Sequence, residues 1–256
     1  MASGRTTVAL GATDALSAKV IESHGFACVY VGSYATAASR CGLPDTGLLS
    51  LPELVEQARS IVNAVKLPVI ADAEGGFNDV ANMWRTVQAF EQAGVSAIHI
   101  EDHAGTGKHT SAPQSLRPMA EVAARIRAAV QAREDPDFLI VARSDAVWLS
   151  NDLEDCVARL QAYARAGADM VFPTLATPAQ LAEVRRRVKK PAMIVDMPGR
   201  GLASHRGAAI VLYYAFSALV GFNALQLAVA RFKRTGMAPK GAAALEEFLG
   251  YGDFGK

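Results

Sequence analysis

Short, unbroken apolar runs alternate with amphipathic stretches along nearly the whole chain. The runs fall at 7–10, 28–33, 68–71, 97–100, 138–142, 170–173, 192–195 and 208–212. None alternates polar and apolar residues, which is the pattern of strands covered on both faces. Between them lie segments with apolar positions three and four apart, predicted as helices at 14–24, 52–65, 79–93, 119–133, 153–166, 178–188 and 216–233. Pro52 opens one helix, and Gly25, Gly94 and Gly167 follow the ends of others. Strand–helix alternation implies a parallel sheet, and eight such units over about 235 residues fit an α/β fold of the (β/α)8 TIM-type barrel class. A doubly wound open sheet is the alternative, but no GxGxxG follows the first run. The whole of 1–256 reads as one barrel domain with a helical tail from about 235, including a short helix at 241–248.

Two interruptions stand out. Residues 34–51 read as a long irregular loop, and so does the polar, Gly- and Ser-rich segment 103–118. A loop of the second kind is too long for a βα turn and is expected to be a lid or binding loop. The connection 196–207 leaves room only for a very short seventh helix.

Several runs stop abruptly in charge. Asp72 and Glu74 follow the third, Glu101 and Asp102 the fourth, Arg143 and Asp145 the fifth. An unpaired buried charge is costly, so packing does not explain carboxylates there. Barrel active sites sit at the carboxyl ends of the strands. The predicted mouth holds Ser33, Asp45, Asp72, Glu74, Glu101, Asp102, His103, Arg143, Asp145, Thr174 and Asp196. Such an oxygen-rich set suits a hard cation such as Mg2+ (or Mn2+). Cation and arginine together suit a small anionic 2-oxo or 2-hydroxy acid. His103 is read either as a general acid or base, or as a residue orienting a carboxylate. Lys108 and His109 are read either as closing over substrate or as a solvated loop face. His99, inside a run, is expected to be packed. Gly75 and Gly76 either cradle an anion or make a tight turn.

Composition narrows the partners. A net charge of +1 leaves no electrostatic footprint for nucleic acid or an anionic membrane. Cys28, Cys41 and Cys156 show no CxxC spacing, which argues against a zinc site or disulfide framework and for a reducing compartment. No apolar run is long enough to span a bilayer and no apolar leader precedes the first run, so a cytoplasmic location is expected.

Five segments in register, Tyr30-Val-Gly-Ser33, Gly42-Leu-Pro-Asp45, Pro68 to Phe77, His99-Ile-Glu-Asp102 and Val141-Ala-Arg-Ser-Asp145, resemble the isocitrate lyase/phosphoenolpyruvate mutase superfamily. The resemblance implies a (β/α)8 barrel whose eighth helix is swapped between subunits, giving a homodimer or homotetramer. It implies Asp72, Glu74 and Glu101 as the metal-site acids, with Asp72 the direct ligand. Gly32 and Ser33 match the residues holding the substrate carboxylate, with Thr110 and Thr174 as further substrate contacts. Asp45, His103, Lys108, His109 and Arg143 are the catalytic candidates. The implied chemistry is Mg2+-dependent C–C cleavage, by a lyase or decarboxylase, of a small 2-oxo or 2-hydroxy di- or tricarboxylic acid through a metal-stabilised enolate. Phosphonopyruvate C–P hydrolysis or mutation is one alternative, and a catalytically silent barrel binding oxalate or pyruvate is another. The chain departs from the lyase pattern in five places: Gly107-Lys-His-Thr-Ser111 has no cysteine, Glu74 replaces an aspartate, Thr174 follows Phe172-Pro173 where a glutamate is usual, Thr13 stands where a tyrosine is usual, and the segment 196–207 is shorter than usual.

Overall fold

The computed structural model describes residues 6–105, 108–196 and 207–253. Eight parallel strands form the sheet: β1 (Thr7–Gly11), β2 (Cys28–Val31), β3 (Val69–Asp72), β4 (Ala97–Glu101), β5 (Leu139–Ser144), β6 (Met170–Pro173), β7 (Met193–Val195) and β8 (Ile210–Tyr213). Their spatial order is β6-β5-β4-β3-β2-β1-β8-β7. A single parallel bridge, Val171 to Ala192, joins the two ends into a nearly closed (β/α)8 barrel.

Local chemistry places the helices around it. Asp14 and Ser17 form a capping box before helix Ala15–Ser23. Ser50 and Glu53 do so for Leu51–Val62, and Thr177 and Gln180 for Pro178–Val188. Each box satisfies amide N–H groups that the first turn leaves without helical partners.

Side chains alternate across each strand, so parity decides which layer a residue enters. On β3, Val69 and Ala71 join the layer between strands and helices, while Ile70 faces the barrel interior. The same alternation puts Ile98 and Ile100 outward with Phe90, Leu54, Leu160 and Tyr163. Inside stand Tyr30, Val141, Met170, Phe172, Met193, Ile210 and Leu212. Burying each large side chain contributes roughly 1.5–3 kcal/mol. Continuing the inward parity past the apolar core reaches Gly32, Asp72, Glu101, Arg143, Thr174 and Tyr214.

Four features of the connections differ from expectation. The segment 34–51 is not irregular at its start. It opens with a helical turn, Ser33–Thr36, running into a π-helical turn, Ala37–Cys41, that stops at Gly42 with φ 64°. The segment 103–118 carries a short antiparallel pair, His103–Ala104 against Ser115–Leu116, too brief to show as a periodic pattern. An unexpected helix, Ala146–Ser150, follows β5 directly. The helix expected at 79–93 starts only at Met83. The shortened connection, with His205 and Arg206, lies outside the described residues apart from its ends.

The chain divides into two compact units, Met1–Ala218 and Leu219–Lys256, the boundary falling inside helix Phe216–Thr235. In the second unit Phe222, Leu225, Leu227, Val229 and Phe232 are exposed. Among the described residues no helix is long and apolar enough to cross a membrane.

A candidate active site at the carboxyl ends of the strands

A cavity of about 240 Å³ opens over the ends of the strands. Its polar lining comes from Ser33, Asp45, Asp72, Lys108, His109, Arg143 and Thr174. Asp72 caps β3 on inward parity. It accepts from the Ser33 hydroxyl at 3.1 Å and from the Glu74 N–H at 2.8 Å. His99, inward on β4, is packed as expected, with its Nε2 2.9 Å from the Tyr30 hydroxyl and its ring edge-on to Phe172. Its Nδ1 lies 3.6 Å from Asp72. Burial drives the His99 pKa down to about 4, so the ring is neutral near pH 7. Burial opposes ionisation of Asp72, but His99 when protonated, Lys108, Arg143 and the Glu74 N–H outweigh it and hold the carboxyl at about 2.

Lys108 descends from the long loop into this cluster. Its ammonium lies 2.5 Å from Glu74 and 2.9 Å from Glu101 and is almost wholly buried. Arg143 spreads its fork over three partners. It meets Glu101 at 3.0 Å and Asp145 at 2.7 Å, and donates from Nε to the Thr174 hydroxyl at 2.9 Å. Asp145 is held far below the usual carboxylate range: burial acts against ionisation, and Arg143 more than compensates. His109 projects from the same loop, its Nε2 3.4 Å from Asp45 and its ring against Trp148 at 4.9 Å.

The charges do not balance. Five buried or half-buried carboxylates (Asp45, Asp72, Glu74, Glu101, Asp145) face two fixed cations, Lys108 and Arg143. Burial, together with Asp72 and Glu101, pushes the Glu74 carboxyl up to about 8. A site in which an acid is pressed toward its neutral form lacks positive charge, and a divalent cation would supply it. The donors are hard oxygens, as Mg2+ prefers. Among the described residues no three His, Cys, Asp or Glu side chains are gathered to hold an ion by themselves. One or two carboxylates of this set, with water and substrate completing the shell, would be what a Mg2+ ion takes.

Some expected residues stand elsewhere. Asp102 has outward parity, with Ile98 and Ile100, and belongs to the helix layer rather than the mouth. It accepts from the Asp145 N–H at 2.9 Å and the Tyr163 hydroxyl at 3.0 Å, and burial pushes its carboxyl up to about 6. His103 is buried, 3.5 Å from Asp145 and tilted against Trp148, and does not line the cavity. Thr110 is exposed, its hydroxyl accepting from the Ala112 N–H. Gly75 and Gly76 form a tight turn. Gly76 has φ 96°, its N–H bonds Ala73, and Arg125 claims the Gly75 carbonyl. Burial pushes the Cys28 and Cys156 thiols up to about 11 and 12, as expected of inert cysteines.

The sequence reading missed the apolar lining, which includes Tyr34, Trp148, Phe172, Leu175, Val195, Leu212 and Tyr214. Parity on β6, β7 and β8 could have found Phe172, Val195 and Leu212. Nothing in the pattern marked Trp148, because its helix is only five residues long.

Residues 1–232 match the family model described as phosphoenolpyruvate phosphomutase. A curated relative, 2,3-dimethylmalate lyase of Eubacterium barkeri, is 42% identical over 169 residues, covering 66% of this chain and 58% of its own. The chain thus spans a little over half the length of that relative. The solved structure of a phosphoenolpyruvate phosphomutase from Streptomyces platensis subsp. rosaceus superposes with a TM-score of 0.89 at 29% identity, covering 98% of this chain and 92% of its own. A phosphonopyruvate hydrolase solved with oxalate and Mg++ superposes at 0.84 with 30% identity, covering 97% and 92%.

Proposed function

The chain belongs to the phosphoenolpyruvate phosphomutase family, and from that premise we propose that it cleaves a C–C bond next to the 2-oxo or 2-hydroxy group of a small carboxylic acid, with Mg2+ (or Mn2+) bound. The observation that carries the reading is the charge deficit around Asp72, Glu74 and Glu101, beside an arginine fork and a cavity fit for a small acid. Asp72, with Glu74 or Glu101, would hold the ion. When bound, it supplies Lewis-acid stabilisation to negative charge developing on the substrate's 2-oxygen.

The chain's own groups do the rest. Ser33 and Thr174 offer hydroxyls to the substrate's carboxylate end, and Arg143 presents its fork there. Lys108 closes the loop over the acids and excludes water. His109 serves as acid and base where the lyase pattern has a cysteine, with Asp45 orienting its ring. As base it takes the proton of a 2-hydroxyl, the adjacent C–C bond breaks, and the electron pair left on carbon receives a proton. His109→Gln is expected to lower kcat about 10²–10⁴-fold with little change in KM. Steady-state kinetics check this, and an unchanged kcat removes His109 from the acid–base role.

The test of the function is release of a 2-oxo acid from oxaloacetate and substituted malates with Mg2+ present. Phosphonopyruvate is the control: loss of its C–P signal in phosphorus NMR, with the malates untouched, would turn the reading to C–P chemistry. The bare apolar side chains of the second unit are covered by another copy of the chain, in a homodimer or homotetramer. Sedimentation equilibrium is expected to give two or four times the 27.0 kDa chain mass, and Leu225→Lys to shift it toward monomer. A wild-type monomer at micromolar concentration contradicts this.

A further inference from the structure

The charged strand-end groups make the polar half of the cavity: Asp72 ends β3 and Arg143 lies near the end of β5, with the Ser33 hydroxyl after β2 and the Thr174 hydroxyl, which accepts from Arg143, just after β6. The other half, β6 to β8, contributes Phe172, Leu175, Val195, Leu212 and Tyr214. β6, β7 and β8 lie side by side around the barrel, since β7 pairs with β8 and the Val171–Ala192 bridge joins β6 to the start of β7.

No spare cation faces the apolar half among the described lining residues. Lys108 is paired with Glu74 and Glu101, Arg143 with Glu101 and Asp145, and His109 with Asp45. A carboxylate placed against Leu175, Val195 and Leu212 would lose its water with no cation among the described residues in exchange, which is costly. Among the described residues, the charged group at the end of β7 is Asp196, itself an acid.

The apolar wall is held at a cost. Leu175 has φ 58°, a left-handed conformation that a bulky side chain seldom adopts, yet it packs on the interior core and lines the cavity. Strain of this kind persists where the surroundings fix it. Trp148 is wedged between His103 and His109, so its indole is a fixed surface.

We infer that the substrate carries an uncharged hydrocarbon substituent, branched or aromatic, that lies against Leu175, Val195, Leu212 and Trp148. The acid's carboxylate and oxygen functions gather at the polar half, and no further carboxylate extends beyond them. This rests on the reading of the cavity as a 2-oxo or 2-hydroxy acid site and narrows its substrate class.

Isothermal titration calorimetry with Mg2+ present tests it, using oxalate, pyruvate, 2-oxoglutarate, 4-methyl-2-oxopentanoate and phenylpyruvate. The two hydrocarbon-bearing acids are expected to bind at least tenfold more tightly than 2-oxoglutarate. Leu175→Arg, checked for folding by circular dichroism, is expected to reverse that order. If oxalate and pyruvate bind but 2-oxoglutarate equals or exceeds the hydrocarbon acids, the inference fails and the site reading stands. If none of the five binds, the site reading fails, and the inference with it. The wild-type ranking decides the matter even if the variant does not fold.

Discussion

Asp72→Ala is expected to lower kcat/KM at least about a thousandfold while the barrel remains folded. Asp72 is the point on which the site's polar contacts converge: it accepts from Ser33 and from the Glu74 N–H and neighbours His99. Its carboxyl stays ionised down to about pH 2, so it presents full negative charge to a cation at any working pH. Losing metal stabilisation of a developing oxyanion removes several kcal/mol, and about 4 kcal/mol is a factor of a thousand. Burial decides why folding survives. The lost carboxylate removes one charge from a cluster already short of positive charge, so the remaining acids repel less. Circular dichroism and steady-state kinetics on one preparation check both halves. A fall of less than tenfold would move the metal role to Glu74 and Glu101.

Arg143→Lys is expected to damage both activity and stability, by a different route. The guanidinium meets Glu101, Asp145 and the Thr174 hydroxyl at once. A lysine ammonium is a point donor on a flexible stem and cannot reproduce that fork. At least one buried carboxylate is left unpaired, which costs about 3–5 kcal/mol. Urea unfolding is expected to show that loss as a lower midpoint with an unchanged slope. Activity is expected to fall at least a hundredfold, because the substrate's carboxylate loses its bidentate partner. Unchanged stability would mean that Asp145 finds enough support from His103 and Thr174 alone.

The fold was legible because its signal is repeated. Eight apolar runs of similar length, alternating with seven amphipathic segments, leave few architectures open. The site was half legible for a related reason. A carboxylate ending an apolar run is conspicuous, so Asp72, Glu101 and Arg143 could be read directly. Their side-chain direction follows from parity with Ile70, Ala97 and Val141. Asp102 shows the limit: adjacent to Glu101, it was grouped with the acids, yet one residue along a strand reverses the face and sends it to Arg159 and Tyr163. Lys108 was legible only as a loop cation. Its descent between Glu74 and Glu101 depends on how the 103–116 pair closes the loop, and two-residue strands leave no periodicity to read. Trp148 and Leu175 were silent because an apolar cavity wall has the same composition as a core.

Reversible metal dependence of turnover tests the central claim most directly. The protein is assayed for 2-oxo acid release on its best malate or oxaloacetate analogue, then stripped with EDTA, then resupplied with Mg2+ or Mn2+. The account predicts activity lost with EDTA, restored by either ion, and absent from Asp72→Ala under every condition. Turnover that persists after stripping, or that Asp72→Ala retains, would contradict it.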